Sequence, residues 1–528
     1  MSWFKNPHEE SKHGELPAQS DIKKTHKIVG VVTVAALSAI FLLSAACFIG
    51  VYRGIPQFVD NSNAPSSSFV RSVGATRLQV VCPDRLSLPD SDQYGDSQFS
   101  ESEGDLQSFA RYGAFGDVYR ANIHNVRDTS DQSTILKTKS TDDDTSALIT
   151  NNDVNKDAQV FEGRLSRVAS GTGIAASMSS WATKGDVRGL AATTCSIPTM
   201  KQTFLVPEAE SGVSLRLETF NPASKPTVVH VKAWSVKQGS TPLNLSTGSG
   251  FTVPANSHAY FNLAAAVPQS TGLYVQIKSE QTPVAAFIKV LRMNGLAVKG
   301  VDIIRALGHK SNNNILAGIS EGDQAKVYVW PHKDGNATIS WMNDSGVQKI
   351  KELSLKSNHL QVLDLGKVPE HVHALNINGS AQTSAMMFVV RDGKDNQSDI
   401  AFIAASRSQG SSTIVSPVSA NETKLYVASS EDNDSSVLLQ GFDASGLLVG
   451  TKRITIPAHS AVSVSATDVS GTAVMFTAKS SNSINFAARI SKNEVNKSEL
   501  AGISWLASQS LEPQQIQVYV NRNHHIVR

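Results

Sequence analysis

The stretch of sequence that most resembles a metal site is DSDQYGDSQFSE, from Asp90 to Glu101. Calcium takes about six to eight oxygen ligands, which a short loop can supply when acidic residues alternate around a glycine. The fifth position, however, is a tyrosine, which is a poor ligand, and no helix is predicted before the loop. The sequence therefore favours an exposed acidic loop, with calcium binding as the alternative. The candidate ligands are Asp90, Asp92, Asp96 and Glu101.

Two histidines, His371 and His373, form a second possible metal site. Residues two apart in a strand point to the same face, so the two rings could hold one edge of a metal ion. No third ligand stands near them in the sequence. A solvent-exposed histidine pair is therefore favoured over a metal site, and no cofactor is expected.

The sequence carries no motif of a common catalytic centre. It has no Gly-x-Ser-x-Gly nucleophile turn, no His-Glu-x-x-His zinc motif and no glycine-rich phosphate loop. The paired carboxylates of a glycosidase could still come from distant strands. Acidic residues are sparse in the repeats described below and lie mostly in turns, so a non-enzymatic protein is favoured over a hydrolase.

Four tryptophans could together provide a surface on which sugars stack. Because buried tryptophans are common in the cores of β-proteins, core packing is favoured over sugar binding. The residues concerned are Trp234, Trp330, Trp341 and Trp505.

One segment, from Ile28 to Tyr52, is apolar over 25 residues without a charge. As a helix it spans about 37 Å, more than a hydrocarbon core of about 30 Å. Five lysines precede it, whereas Arg53 is the first basic residue after it and a neutral stretch follows. The positive-inside rule thus predicts a single-pass signal anchor in the cell membrane, with the N-terminus in the cytoplasm and the bulk outside. A cleaved signal peptide and lipidation at Cys47 are the weaker alternatives.

Two cysteines, Cys82 and Cys195, follow the predicted anchor. An oxidising compartment favours their pairing in a disulfide. Closing a loop of this length contributes roughly 4–5 kcal/mol in the chain-entropy model. Two unpaired buried thiols are the alternative.

Three phrases recur along the chain, and they begin 102 and then 101 residues apart. Apolar residues alternate in each phrase, so each predicts two strands with one buried side and a turn between them. The flanking text repeats in the same register. The phrases are FTVPANSHAYFNL from Phe251, LSLKSNHLQVLDL from Leu353 and ITIPAHSAVSVSA from Ile454.

Each repeat holds about seven predicted strands in about 100 residues, which is typical of an immunoglobulin-like sandwich. A divergent copy precedes the clear ones, and the strand QIQVYVNRN from Gln515 has no unit behind it. That strand could cap the last unit, or return to the first and close a ring. We therefore predict an all-β ectodomain of about four repeated β-sandwich (immunoglobulin-like) units after one N-terminal transmembrane helix. A closed propeller-like ring of the repeats is the alternative.

The predicted organisation has eight segments. They are a cytoplasmic tail (1–27), the transmembrane helix (28–52), an extracytoplasmic linker (53–76), a divergent β unit with a polar insert (77–200), three β repeats (214–308, 324–408 and 423–510) and a terminal strand and tail (511–528).

Three short motifs, Cys82-Pro83, the stretch from Gly189 to Pro198 and Asn221-Pro222, resemble an actinobacterial family of membrane-anchored extracytoplasmic proteins without an assigned function. The resemblance covers residues 78–510. The later repeats depart from it, since Pro331-His332 and Ser429-Ser430 replace the Asn-Pro pair. The resemblance implies a place in the cell envelope and no catalytic residues.

The formal net charge is +2, which gives no indication of nucleic-acid binding. We expect a non-enzymatic, membrane-anchored cell-envelope protein that acts as an extracytoplasmic scaffold or interaction module for envelope proteins. The alternative is a cell-wall polysaccharide-binding module that assists envelope glycan assembly. A hydrolase is the third possibility.

Overall fold

The computed structural model describes residues 69–87, 102, 104–128, 133–136, 146–153, 157–295, 297–394, 396–498 and 500–520. The predicted cytoplasmic tail, transmembrane helix and most of the linker lie outside these residues. Almost all of the described chain is β-structure, which confirms the predicted all-β class. Within the described ranges, no helix is long and apolar enough to cross a membrane.

The chain divides into two units, of which the larger, residues 74–516, contains four sandwiches, each with two layers of strands. In the first sandwich one sheet has the strand order β2-β7-β4-β5 and the other β6-β3-β8-β9. Strands β3 to β6 include part of the predicted polar insert. After β1 (Phe69–Gly74), the strands are β2 (Arg77–Cys82), β3 (Gln107–Phe115), β4 (Val118–Asn125), β5 (Thr134–Ile135), β6 (Leu148–Asp153), β7 (Gln159–Leu165), β8 (Gly173–Ala182) and β9 (Gly189–Thr194).

The second sandwich has the sheets β10-β15-β12-β13 and β14-β11-β16-β17. A short helix, α1 (Leu263–Ala266), follows β14. The strands are β10 (Lys201–Val206), β11 (Val213–Asn221), β12 (Thr227–Ser235), β13 (Gly250–Val253), β14 (Ser257–Asn262), β15 (Leu273–Ser279), β16 (Ala285–Asn294) and β17 (Ala297–Arg305).

The third sandwich differs because one long strand, β23, takes part in both of its layers. The first half of β23 pairs with β18 and β20, and the second half pairs with β19 and β24. The strands are β18 (Ser311–Ala317), β19 (Gln324–Pro331), β20 (Gly335–Asn343), β21 (Gly346–Leu355), β22 (Gln361–Lys367), β23 (Val372–Asp392) and β24 (Ser398–Ala404).

The fourth sandwich is built in the same way around the long strand β30, which pairs with β25 and β27 in one layer and with β26 and β31 in the other. A short helix, α2 (Asn493–Lys497), follows β30. The strands are β25 (Gln409–Val415), β26 (Thr423–Ala428), β27 (Ser435–Phe442), β28 (Leu448–Ile456), β29 (Ala461–Ser465), β30 (Met475–Ser491), β31 (Ile503–Ala507) and β32 (Gln509–Ser510).

The three recurring phrases cross from one layer of a sandwich to the other. In the second sandwich, for example, β13 pairs with β12 in one sheet and β14 pairs with β11 in the other. The turn of each phrase contains a residue with positive φ, namely Asn256 (47°), Asn358 (57°) and His459 (51°). Asparagine and histidine tolerate this conformation better than most residues. The repeat spacing therefore marks the same backbone turn three times.

One strand near the end of each sandwich lies on a common axis. These axial strands are β9, β17, β24 and β31, and each packs against its neighbours in that order, with β31 returning to β9. The four sandwiches thus form a four-blade propeller-like arrangement, which combines the two architectures left open by the sequence. The strands approach closely: a side chain at Gly300, where φ is +124°, would place its Cβ 2.8 Å from the backbone nitrogen of Ile400.

Neighbouring sandwiches share cores because one strand in each is apolar on both faces. In β16, Ala286 and Ile288 belong to the core of the second sandwich, whereas Ala285 and Phe287 belong to the core of the first. In β23 the same alternation links the third core to the second, and in β30 it links the fourth core to the third. Ala175 in β8 packs with residues of the fourth sandwich, which closes the ring. Because successive side chains of a strand point to opposite faces, a single strand contributes side chains to two cores.

Asp399, in β24, joins the four axial strands through its carboxylate. Its Oδ2 accepts hydrogen bonds from the backbone N–H groups of Leu190 in β9 and Ile503 in β31, both at 3.0 Å. Its Oδ1 accepts from Val301 N in β17 at 3.2 Å and from Ile400 N at 2.9 Å. Burial raises the pKa of this carboxyl to about 7, although the four N–H donors act in the opposite direction.

Asp302, in β17, makes a similar junction. Its Oδ1 accepts hydrogen bonds from Ala192 N in β9 at 3.2 Å and from Ser504 Oγ in β31 at 2.8 Å. Its Oδ2 accepts from Phe402 N in β24 at 3.1 Å. Burial raises its pKa, and the nearby Asp399 carboxylate adds to the shift. We call the pair Asp302 and Asp399 the axial carboxylates.

The smaller unit consists of the two chain ends, residues 1–73 and 517–528. In it β1 pairs with the last strand, β33 (Gln515–Val520). The terminal strand that the sequence left without a unit therefore pairs with the strand that precedes the first sandwich.

The axial carboxylates predict a specific sensitivity to amide substitution. In Asp399→Asn an NH2 group replaces one oxygen, and whichever oxygen is replaced, two buried N–H donors lose their acceptor. We expect the free energy of unfolding to fall by at least about 2 kcal/mol. Chemical unfolding of the full chain measures it.

The control is Asp344→Asn, the same change at an exposed turn residue. It should alter the free energy of unfolding by less than about 0.5 kcal/mol. Equal unfolding midpoints for the two variants would contradict the role given to Asp399.

Candidate functional site

The residues at and after the ends of the axial strands enclose two adjacent cavities at one end of the axis. Arg305 ends β17, Ala404 ends β24 and Ala507 ends β31, and all three line a first cavity of about 250 Å³. Cys195, directly after β9, lines a second cavity of about 360 Å³. The two cavities share Arg305 and Ser508. Cavities of this size at a junction of structural units are typical places for a ligand.

The first cavity is basic. Its wall includes Arg305, Arg407 and His309 together with the indole of Trp505 and the amide of Gln409. None of the described residues that line either cavity is an aspartate or a glutamate. The positive charge of the wall is therefore not neutralised from within the cavities.

Three buried polar atoms of this wall have no hydrogen-bond partner. They are Nε of Arg305, Nδ1 of His309 and Oε1 of Gln409. Buried polar groups in folded proteins are nearly always satisfied by protein, water or ligand. Three such atoms on one wall are free to form hydrogen bonds with water or with a ligand.

Burial without an ion pair has a clear effect on the basic groups of the wall. Among the described residues Arg305 forms no ion pair, and burial lowers the pKa of its guanidinium to about 10. Burial also lowers the pKa of His309, and the nearby Arg407 adds to this shift. A bound anion would relieve the cost of burying the Arg305 cation and would favour protonation of His309.

A paired arginine elsewhere in the ring shows the contrast. Arg489, in β30, donates from both of its terminal nitrogens to the carboxylate of Asp323 in the neighbouring sandwich. Burial alone would lower the pKa of Arg489, but the Asp323 carboxylate raises it. Arg305, which is only partly buried, lacks such a partner within the described chain, so the two arginines have different roles.

The second cavity is more apolar. Its wall includes Leu78, Ile174, Pro283, Ile197 and Ile516, with glutamine side chains between them and with Arg77, which is paired with Glu162. The last two isoleucines are each 51% exposed, although isoleucine is usually buried. The pair of cavities can therefore take a charged group on one side of Arg305 and an apolar group on the other.

A pair of acids does occur in the structure, but away from the axial cavities. Nζ of Lys289 lies 2.8 Å from Oδ1 of Asp84 and 2.8 Å from Oε2 of Glu218, where the first and second sandwiches meet. Burial raises the pKa of Glu218 to about 7. Since Glu218 is only 1% exposed, a substrate cannot reach it, and we assign this cluster to the packing of the interface.

One protein-family model matches the chain over more than half of its length. The model of a family of unknown function (DUF5719) matches residues 149–467, which is more than half of the 528 residues. The chain belongs to this family. No curated protein matches it.

Among solved structures, the DUF5719 chain is similar to a glycosyl hydrolase family 2 member from Bacteroides cellulosilyticus. The identity is 8% and the TM-score is 0.11, over 65% of this chain and 36% of that one. This chain thus spans about a third of that protein's length. A similarity of this level carries no argument about function.

The structure of the DUF5719 protein brings together Cys82 and Cys195. They form a disulfide with 4.4 Å between the Cα atoms, linking the end of β2 to the residue after β9. Asn221 of the Asn-Pro motif is fully buried, and its amide donates to the carbonyl of Pro254 at 3.0 Å. The asparagine thus fixes the turn that follows β13.

Of the two predicted metal sites, the structure describes only the histidine pair. The candidate calcium ligands Asp90, Asp92, Asp96 and Glu101 lie outside the described residues. His371 is an exposed turn residue with φ of 60°, whereas the half-buried ring of His373 packs against Tyr426. Within the described part of the chain, no group of three or more His, Cys, Asp or Glu side chains could hold a metal ion.

The tryptophans pack mainly in cores. Trp330, Trp341 and Trp505 are between 2% and 6% exposed, and Trp234 is half-buried against Trp330 and Tyr274. Trp330 and Trp341 could stack on a sugar only if the core opened, whereas Trp505 also lines the first axial cavity.

The basic wall of the axial cavity was not predicted from the sequence. A signal for it was present, because the closing phrases VDIIRALG and DIAFIAASR of successive repeats each carry an arginine. Those residues are Arg305 and Arg407. Only the convergence of the axial strands brings them together.

The contrast between the two arginines gives a prediction for the protein without ligand. Arg305→Met removes a cation that has no ion-pair partner, so the free energy of unfolding should stay within about 1 kcal/mol or rise. Arg489→Met removes the more deeply buried of the two arginines that pair with the Asp323 carboxylate and leaves Arg391 as its remaining partner, which should cost about 2–3 kcal/mol. Thermal and chemical unfolding in a buffer of monovalent anions compare the two variants. A similar loss in both would mean that Arg305 has a partner within the chain.

Proposed function

We propose that this DUF5719 protein is a non-enzymatic binding protein whose first axial cavity holds an anionic ligand. The observation that carries the proposal is Arg305, a cation that faces the cavity without a carboxylate partner among the described residues. Arg407 and His309 add two further groups that can donate hydrogen bonds to an anion. Arginine is well suited to bind carboxylate or phosphate through two nitrogens at once.

The proposal extends to where the binding takes place. The apolar segment 28–52 and the lysines before it support a membrane anchor with residues 53–528 outside the cytoplasm. A disulfide between Cys82 and Cys195 fits an oxidising compartment. We therefore place the binding protein in the cell envelope, where it acts as an interaction module.

A polysaccharide would suit the first axial cavity if it carried negative charge. The buried tryptophans offer little surface for neutral sugars. A glycan that carries carboxylate or phosphate groups would instead suit the basic cavity.

Sulfate is a suitable probe for the proposed site because its charge is constant between about pH 5 and pH 8. We expect the full chain to bind sulfate, and Arg305→Met to weaken the affinity at least tenfold, since a charge-assisted hydrogen bond contributes about 1.5–3 kcal/mol. Isothermal titration calorimetry measures the affinity. Arg120→Met, the same change at an exposed position of β4, is the matched control. Equal affinities for both variants, or no sulfate binding by the wild type, would contradict the proposal.

The histidine of the wall predicts a pH dependence. Burial and the nearby Arg407 lower the pKa of His309, so its ring is neutral near pH 7, whereas Arg305, with a pKa of about 10, remains charged. A bound anion favours the protonated ring, so sulfate should bind at least about threefold more tightly at pH 5.5 than at pH 7.5. Titrations of wild type and His309→Asn at both pH values test this, and the variant should lose the dependence. An affinity that falls on acidification of the wild type would contradict the role of His309.

A further inference from the structure

The two axial cavities differ in chemistry but share a wall. Arg305 and Ser508 line both of them. On one side lie Arg407 and His309, and on the other lie Leu78, Ile174 and Pro283, together with Arg77, which is paired with Glu162. The compartments on the two sides of Arg305 therefore differ: the first holds basic groups that are unpaired within the described chain, and the second is largely apolar.

We propose that the ligand of the axial site is an anionic amphiphile, with its phosphate or carboxylate head in the first cavity and its hydrocarbon part in the second. This proposal rests on the proposed function, because the head occupies the anion site at Arg305. It adds the class of ligand, which anion binding alone leaves open.

The exposed isoleucines support the hydrocarbon part of the proposal. Ile197 and Ile516 line the second cavity and are each 51% exposed to solvent. Covering their side chains with a hydrocarbon chain would bury apolar surface that the protein alone leaves in water. Two such side chains on one cavity form a patch, unlike a single exposed isoleucine elsewhere on the surface.

The second cavity lies close in sequence to the predicted membrane anchor. Ala75, the second residue of the large unit, lines this cavity. It lies 23 residues after Tyr52, the end of the predicted membrane segment. A fully extended chain of that length reaches at most about 80 Å. The length of the chain thus limits the distance between Ala75 and a membrane that holds the predicted anchor to about 80 Å.

Hexyl phosphate and methyl phosphate provide a direct test, because they share one head group and differ in the hydrocarbon part. The full chain is kept in solution with an uncharged fluorinated surfactant, whose tails mix poorly with hydrocarbon. Calorimetry should show hexyl phosphate binding at least tenfold more tightly, since burial of about two methylene groups already corresponds to roughly tenfold. The double variant Ile197→Asn/Ile516→Asn should lose most of this preference and keep the affinity for methyl phosphate.

A matched control uses another exposed isoleucine. Ile350→Asn, in β21, changes a residue that is 37% exposed and does not line either axial cavity, and it should keep the preference for hexyl phosphate. An equal loss in this control would assign the preference to the surface at large and overturn the proposal.

The possible results distinguish a failure of the amphiphile proposal from a failure of the anion site on which it rests. If both phosphates bind with equal affinity, the anion site stands and the amphiphile proposal is overturned. If the hexyl preference survives the double variant, the hydrocarbon lies elsewhere and the amphiphile proposal is again overturned. If neither phosphate binds, the proposed function is itself wrong.

Discussion

Hydrogen bonding to the axial carboxylates is the constraint on which the arrangement of this protein depends. Each carboxylate accepts hydrogen bonds from strands of three other sandwiches, so neither can be satisfied by its own sandwich alone. A buried carboxylate without its donors would cost several kcal/mol. The axial strands must therefore converge, and the shared cores between neighbouring sandwiches follow from that convergence.

The same convergence creates the candidate site. The interior of the axis is filled by small and apolar residues around Asp302 and Asp399, whereas the ends of the strands carry Arg305 and residues such as Arg407 just beyond them. Inside the axis, the carboxylates of Asp302 and Asp399 accept hydrogen bonds from all of the neighbouring strands and so stabilise the ring. At its end, Arg305 and Arg407 line the first cavity and have no acidic partner among the described residues. Stability and binding are thus assigned to different residues of the same four strands.

Much of the fold could be predicted from the sequence, because it rests on local patterns. The repeat spacing identified the units, and the turns at Asn256, Asn358 and His459 lie at the predicted places. Strands β3 to β6 were missed in part because their text is polar and diverges from the later repeats. The axial site could not be predicted, since it depends on contacts such as that between Leu190 and Asp399, which are 209 residues apart.

The most direct test of the account is to locate an anion in the crystal. Crystals of the full chain grown with selenate, which resembles sulfate and scatters anomalously, would show where the anion binds. The account predicts an anomalous peak in the first axial cavity, within hydrogen-bond distance of Arg305. Selenate found only elsewhere, or a carboxylate of the chain itself against Arg305, would contradict the account.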